Sequence, residues 1–160
     1  MCKYRSHKED PNRTQITIGG NRICYHGDVG TPTGSLELVK IVINSVLSCR
    51  DARFVAFDVR IFYLATPMDR LEFFRICLED IPKDFIEEYN PIPYANNGWI
   101  YFEIIKGCYC LPQAGMLSND SLHMRLNNTG YYKTTTTPGL WRHKWRPIVF
   151  VLIVDDFFIK

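Results

Sequence analysis

The segment Ile153-Val154-Asp155-Asp156-Phe157-Phe158-Ile159 constrains this chain more than any other. Two adjacent carboxylates interrupt a run that is otherwise apolar, and an unpaired carboxylate in an apolar setting is costly. They need partners, and a divalent metal ion is the natural one. Successive residues on a strand face opposite ways, so both carboxylates reach one site only where the chain turns. The segment is therefore predicted to be a tight hairpin with Asp155-Asp156 at its tip. A third carboxylate, Asp58, closes the apolar run Phe54-Val55-Ala56-Phe57, which reads as a buried strand. It lies 97 residues upstream (155 − 58). Two carboxylate-tipped strands side by side would set Asp58, Asp155 and Asp156 around one or two Mg²⁺ ions, whose hard oxygen preference and open positions suit phosphate chemistry. By spacing alone, the same residues also read as a turn Asp pair and an unrelated strand-end Asp.

The rest of the chain supplies a frame for these strands. Arg13–Ile18 and Arg22–Tyr25 read as two short strands around Gly19-Gly20-Asn21, which is good hairpin chemistry. Leu36, Val39, Ile43 and Val46 recur at helical spacing, so Leu36–Leu47 is predicted to be a helix capped by Thr33 or Gly34. Strands are predicted at Phe73–Leu78, Trp99–Ile105 and Ile148–Val154. A short helix is predicted at Pro82–Tyr89, and a longer one at Gly115–Asn128 with Gly130 as its stop signal. Strands and helices mix without strict βαβ alternation, which points to an α+β domain with a largely antiparallel sheet.

Composition excludes several classes. Hydrophobic residues make up 46% of 160, enough for a packed core and too many for a disordered chain. No apolar run approaches the roughly 18 residues of a membrane span. Met1–Arg13 is polar and charged, which predicts no secretory signal. The six cysteines are irregularly spaced, and Cys108-x-Cys110 has no second Cys/His pair at finger spacing, so reduced thiols are expected. A net charge of +2 neither demands nor excludes a nucleic-acid partner.

Three motifs occur in an order that resembles a known family. Ile153-Val154-Asp155-Asp156 is similar to the x-x-D-D signature of reverse transcriptases. Asp58-Val59-Arg60-Ile61-Phe62-Tyr63-Leu64 is similar to their first catalytic motif, an Asp followed five residues later by an aromatic. Leu111-Pro112-Gln113-Ala114-Gly115 resembles the L-P-Q segment that lies between them. Lys8–Thr14, Gly30–Thr33 and Thr137–His143 resemble segments of long-terminal-repeat, copia-like retrotransposon polyproteins. The resemblance covers about Lys8 to Lys160.

It implies a right-hand polymerase fingers and palm, with residues 1–53 in the fingers and 54–160 in the palm, interrupted by a fingers insertion over about 80–135. It implies RNA-directed DNA polymerase activity with Mg²⁺, or Mn²⁺ in its place. Asp58 and Asp155 would be the metal ligands, and Asp156 a weaker or supporting one. Tyr63 would lie under the sugar of the incoming dNTP, which requires the chain to turn after Val59. Gln113 would contact that nucleotide, Gly115 would open the helix supporting the template, and Lys8 and Arg13 would grip the triphosphate. Implied partners are an RNA or DNA template with its primer, dNTP and the remainder of a Pol polyprotein, with no membrane. The implied location is a cytoplasmic virus-like particle with a nuclear phase, not secreted.

The chain departs from the pattern at Gln15, where a basic residue is expected, at Ile61, usually polar, and at Cys110, usually Gly. It stops four residues after Asp156 (160 − 156). The thumb is then expected to be absent, and these residues alone are expected to extend a primer weakly or not at all. Two other classes fit the same carboxylates: an inactive retroelement remnant that binds nucleic acid, and an unrelated Mg²⁺-dependent phosphotransfer enzyme. The second requires parallel, Asp-tipped strands with a helical crossover after each.

Overall fold

Alternation along the C-terminal third lays down one apolar sheet face, and that face organises the fold. The computed structural model describes residues 3–6 and 14–160. In chain order its elements are β1 (Lys3–Ser6), β2 (Thr14–Thr17), α1 (Leu36–Leu47), β3 (Val55–Asp58), β4 (Pro67–Cys77), α2 (Lys83–Tyr89), β5 (Trp99–Lys106), α3 (Ala114–Asn128), β6 (Tyr131–Lys133), β7 (Leu140–His143), β8 (Val149–Ile153) and β9 (Asp156–Ile159). The principal sheet has the order β3-β9-β8-β7-β6, and β1–β2 and β4–β5 form separate ribbons. Every ladder between the described strands is antiparallel. The class is α+β with antiparallel sheets, as the mixed order of elements predicts.

The sheet is covered on both faces. Trp141, Phe150, Leu152 and Phe157 point to one side, where Leu122 and Leu126 of α3 pack on them. Val151 and Phe158 point to the other side, against Val39 and Val42 of α1. A third cluster, Ile18, Ile104, Leu111 and Ala114, joins the end of β2, strand β5 and the start of α3. Among the described residues no helix is long and apolar enough to cross a membrane. Cys24, Cys49, Cys77 and Cys110 stand outside any disulfide.

The residues that fix the entry of α1 differ from those expected. Ser35, not Thr33 or Gly34, caps the helix, its Oγ accepting from the Leu38 N–H at 3.3 Å. Gly34 is occupied elsewhere: its N–H donates to the Leu152 carbonyl at 2.8 Å, and the Leu152 N–H donates to the Gly139 carbonyl at 2.8 Å. Gly139 has φ 75°, and a Cβ there would lie 2.0 Å from the Gly34 nitrogen. Two backbones thus cross where no side chain fits, and the crossing seats α1 on β8.

Other differences have equally local causes. Gly19-Gly20-Asn21 does not turn a hairpin; Gly20–Arg22 is one 3₁₀ turn, and residues 23–25 form no strand. The Ile18 N–H that a return strand would need is taken by the Tyr109 carbonyl at 3.1 Å. Strand β3 forms where expected but is not buried. It pairs only with β9 at the sheet edge, beyond the reach of both covering helices, so Val55 is 55% and Phe57 48% exposed. Strand β4 is longer than the predicted Phe73–Leu78, and β6 and β7 carry no alternation long enough to show in the sequence.

Replacing Gly139 by Ala forces a side chain into the backbone crossing and a left-handed φ on a residue that disfavours it. The expected loss is at least about 2 kcal/mol, read as a lowered urea midpoint. An unchanged midpoint would show that the crossing does not hold α1.

Candidate active site

Asp155 sits where β8 turns into β9. Ile153 and Asp156 are paired across the hairpin, leaving Val154 and Asp155 as the two turn residues. The tip is therefore Val154-Asp155, one residue earlier than expected, and Asp156 is the first residue of β9. Val154 has φ 58° and is the sole turn residue with positive φ, the pattern of a type II′ turn, which matches strand twist. A β-branched residue is uncommon at such φ.

Register brings the upstream carboxylate to this turn. Asp58 ends β3 directly opposite Asp156, and the Val59 N–H extends the ladder to the Asp155 carbonyl at 2.9 Å. Directly opposed residues share a face, with Cβ atoms about 4.5–5.5 Å apart. Asp58 is thereby close enough to Asp155 for the two carboxyls to act on one another. Burial holds the Asp155 carboxyl above its ordinary value near 3.8, against a backbone hydrogen bond that lowers it; the charges of Asp58 and Asp156 and the closeness of the Asp58 carboxyl raise it further. A cation between carboxylates so placed would offset their repulsion.

The donor set fits Mg²⁺, which binds through one or two carboxylates and completes its shell with water and phosphate. The expected three-ligand cluster is not formed as such: among the described residues, no three His, Cys, Asp or Glu side chains converge on one ion. Asp156 is exposed and acts on Asp155 through its charge.

A cleft of about 340 Å³ is lined by Thr17, Tyr63, Tyr109, Leu111, Pro112 and Gly115 among others, and none of the three carboxylates lines it. The chain turns after Val59, as Tyr63 requires: the Ala65 N–H bonds to the Ile61 carbonyl at 3.0 Å, and Ile61 takes φ 54°. Phe62 is thereby buried and Tyr63 is left half-buried at the cleft wall, edge-on to Tyr109 with ring centroids 5.6 Å apart. Burial and then the Asp155 charge raise the Tyr63 phenol, so the ring lies within the field of the carboxylates.

The remaining expected residues divide. Gly115 lines the cleft in the first turn of α3, where an added Cβ would meet Thr31 Oγ1 at 3.3 Å and Tyr63 Cε1 at 4.0 Å. Gln113 does not face the cleft. It is 0% exposed, and its Nε2 donates to Glu72 Oε1 at 2.9 Å. The cause is Glu72, a buried carboxylate on β4 whose Oε1 Arg70 also pairs. Lys8 and Arg13 lie outside the described residues. Tyr109 and Glu72 were not singled out in the sequence; a charged residue inside the apolar run Leu71–Phe74 is the signal that could have found Glu72.

Cys110 lines the same cleft and has φ 72°, which supplies a physical reason why Gly is expected there. Comparison of the chain with family models, curated proteins and solved structures finds no match to any of them.

Two outcomes follow from this geometry. A folded-state value raised for Asp155 means that its contribution to stability is fully present below about pH 3.8 and is lost as pH rises through the folded value. Asp155→Asn is therefore expected to raise Tm at pH 7, with the gain shrinking as pH falls toward 4, in thermal melts. Cys110→Gly is expected to raise stability by roughly 0.5–1 kcal/mol, because glycine takes positive φ without Cβ strain. A lower urea midpoint for that variant would show that the thiol's contacts outweigh the strain.

Proposed function

We propose that the chain is the fingers and palm of a reverse transcriptase of the long-terminal-repeat, copia-like type, and that its chemistry is nucleotidyl transfer from a dNTP to a primer 3′-hydroxyl. One observation carries this reading. Asp58 and Asp155, 97 residues apart in sequence (155 − 58), are brought together by the antiparallel β3–β9 register at the β8–β9 turn, within the electrostatic reach of Tyr63, which walls a cleft. The antiparallel pairing tells against the phosphotransfer alternative, which needs parallel strands and helical crossovers.

In this reading, Asp58 and Asp155 would hold Mg²⁺ or Mn²⁺. The ion supplies charge neutralisation for the triphosphate and lowers the pKa of the attacking hydroxyl. Tyr63 presents its half-buried ring as a flat, rigid wall for the sugar of the nucleotide, and excludes a 2′-hydroxyl by bulk. Gly115 leaves room beside that ring. Gln113 acts from within the fold: held by Glu72, it fixes the start of α3 and does not touch the nucleotide through its side chain. The partners would be an RNA or DNA template with primer, dNTP and the rest of a Pol polyprotein, in a cytoplasmic particle.

The test is a thermal melt with Mg²⁺ or Mn²⁺ and a dNTP. Ligand at 100 times its Kd stabilises by about 2.7 kcal/mol, so wild type is expected to gain several degrees and Asp155→Asn to gain none. An equal gain in both variants, or none in wild type, sinks the metal-site reading. A second arm joins the chain to a thumb domain from a copia-like enzyme and measures extension of oligo-dT on poly-rA. Extension that Asp155→Asn abolishes supports the polymerase. Metal and dNTP binding without extension assigns the chain to the inactive remnants.

A further inference from the structure

The chain is nearly neutral overall, yet its charges are unevenly placed. From Ser121 to Val154 there are five Arg and Lys residues and no Asp or Glu; all 17 acidic residues lie outside that stretch. Three of the five cations lie at or beside the β7–β8 turn. Arg142 is exposed on β7, and Lys144 and Arg146 are exposed in the turn that leads to β8. Among the described residues the one ion pair is Arg70–Glu72, so no described carboxylate neutralises these three cations.

Exposed aromatic rings accompany the cations. Trp145 is 70% exposed, and Tyr132, directly across from Arg142 on β6, is exposed as well. An indole exposed to that degree in a loop would ordinarily be mobile, but this one is held. Its ring stands edge-on to His143, with centroids 4.6 Å apart. His143 is buried and staples the turn from within: its Nδ1 accepts from the Trp145 N–H at 3.3 Å and the Arg146 N–H at 3.2 Å. Two donors on Nδ1 leave the proton on Nε2, which donates to the Thr129 carbonyl at 3.2 Å. The Lys144 N–H adds a bond to the Gly130 carbonyl at 3.0 Å. A rigid turn thus presents an indole and two cations, Lys144 and Arg146, to solvent, while Arg142 and Tyr132 lie on the other face of the same sheet edge, with little ordering of the turn left to be done on binding.

We propose that the β7–β8 turn, with Arg142, Lys144, Trp145 and Arg146 and the neighbouring Tyr132, is a binding surface for single-stranded nucleic acid, separate from the carboxylate cleft. Exposed rings that stack bases, set among cations that follow the phosphates, form the recognition mode for unpaired strands. The surface is at the opposite end of β8 from the Val154-Asp155 turn, and the five residues of that strand span roughly 13 Å. It does not need Asp58 or Asp155, so it stands or falls independently of the polymerase reading.

The experiment uses the whole chain and fluorescein-labelled 12-mers of oligo-rU and oligo-dT. Fluorescence anisotropy is expected to report binding, accompanied by quenching of tryptophan emission. The logarithm of the association constant should fall against log salt with a slope of about −2, from three phosphate contacts at about −0.7 each. The triple variant R142Q/K144Q/R146Q, at exposed positions, is expected to lose at least tenfold in affinity and to flatten the salt slope. Trp145→Ala should abolish the quenching. The triple variant should retain whatever thermal shift wild type shows with metal and dNTP, which separates this surface from the cleft. Undiminished oligonucleotide binding by the triple variant overturns the proposal. So does binding confined to phosphatidylserine vesicles with none to either oligonucleotide, which would make the patch a membrane contact.

Discussion

The backbone register between β3 and β9 is the constraint on which the candidate site depends. The bond from the Val59 N–H to the Asp155 carbonyl, 2.9 Å long, continues the ladder past Asp58↔Asp156 into the hairpin turn. Side chains alternate along a strand, so a slip of one residue would send Asp58 to the other face of the sheet. The register is itself secured by packing. Phe57 stacks on Phe157 with centroids 4.8 Å apart, and Phe157 is buried against Phe150 and Leu152. The apolar side chains of the two strands therefore decide where the carboxylates meet.

Placing two carboxylates together opposes stability, and the fold absorbs that cost in the neighbouring elements. Asp155 is held protonation-prone by burial and by Asp58 and Asp156, and the turn that carries it imposes φ 58° on Val154. Strain of this kind persists where the surroundings over-determine the backbone. Here β8 does so: Val151 and Leu152 are almost fully buried between α1 and α3. Gly34 and Gly139 lock the same strand from its side. A strained, charge-repelling tip on a rigid strand is consistent with the proposed cation site, since a cation would relieve the repulsion.

Much of this was legible in the residues. The helical spacing of Leu36, Val39, Ile43 and Val46 marked α1 at its observed bounds, and the doublet Asp155-Asp156 marked a hairpin. The family resemblance, not the spacing, placed Tyr63 at the cleft, and that placement demanded the turn after Val59. Gln113 was misread because local sequence says nothing of Glu72, 41 residues away (113 − 72), whose buried carboxylate takes up its amide. Strand β3 was misread as buried because an apolar run looks the same at a sheet centre and at an edge; only the strand order distinguishes them. The basic, aromatic turn after β7 was passed over because its cations become a patch only when His143 folds the turn back on itself.

By itself, the sequence determined the mixed α+β class, the position of α1, the hairpin near the C-terminus and the carboxylates that meet there. These follow from local periodicity and from the cost of isolated charge, which act within a few residues of each other. The tertiary structure alone decided which residues face the cleft, that β3 is an edge, that Ser35 and not Gly34 caps α1, and that Gly34 is needed at a backbone crossing. Each of those depends on a partner distant in the chain, and the choice of partner is set by packing over the whole sheet rather than by any local preference.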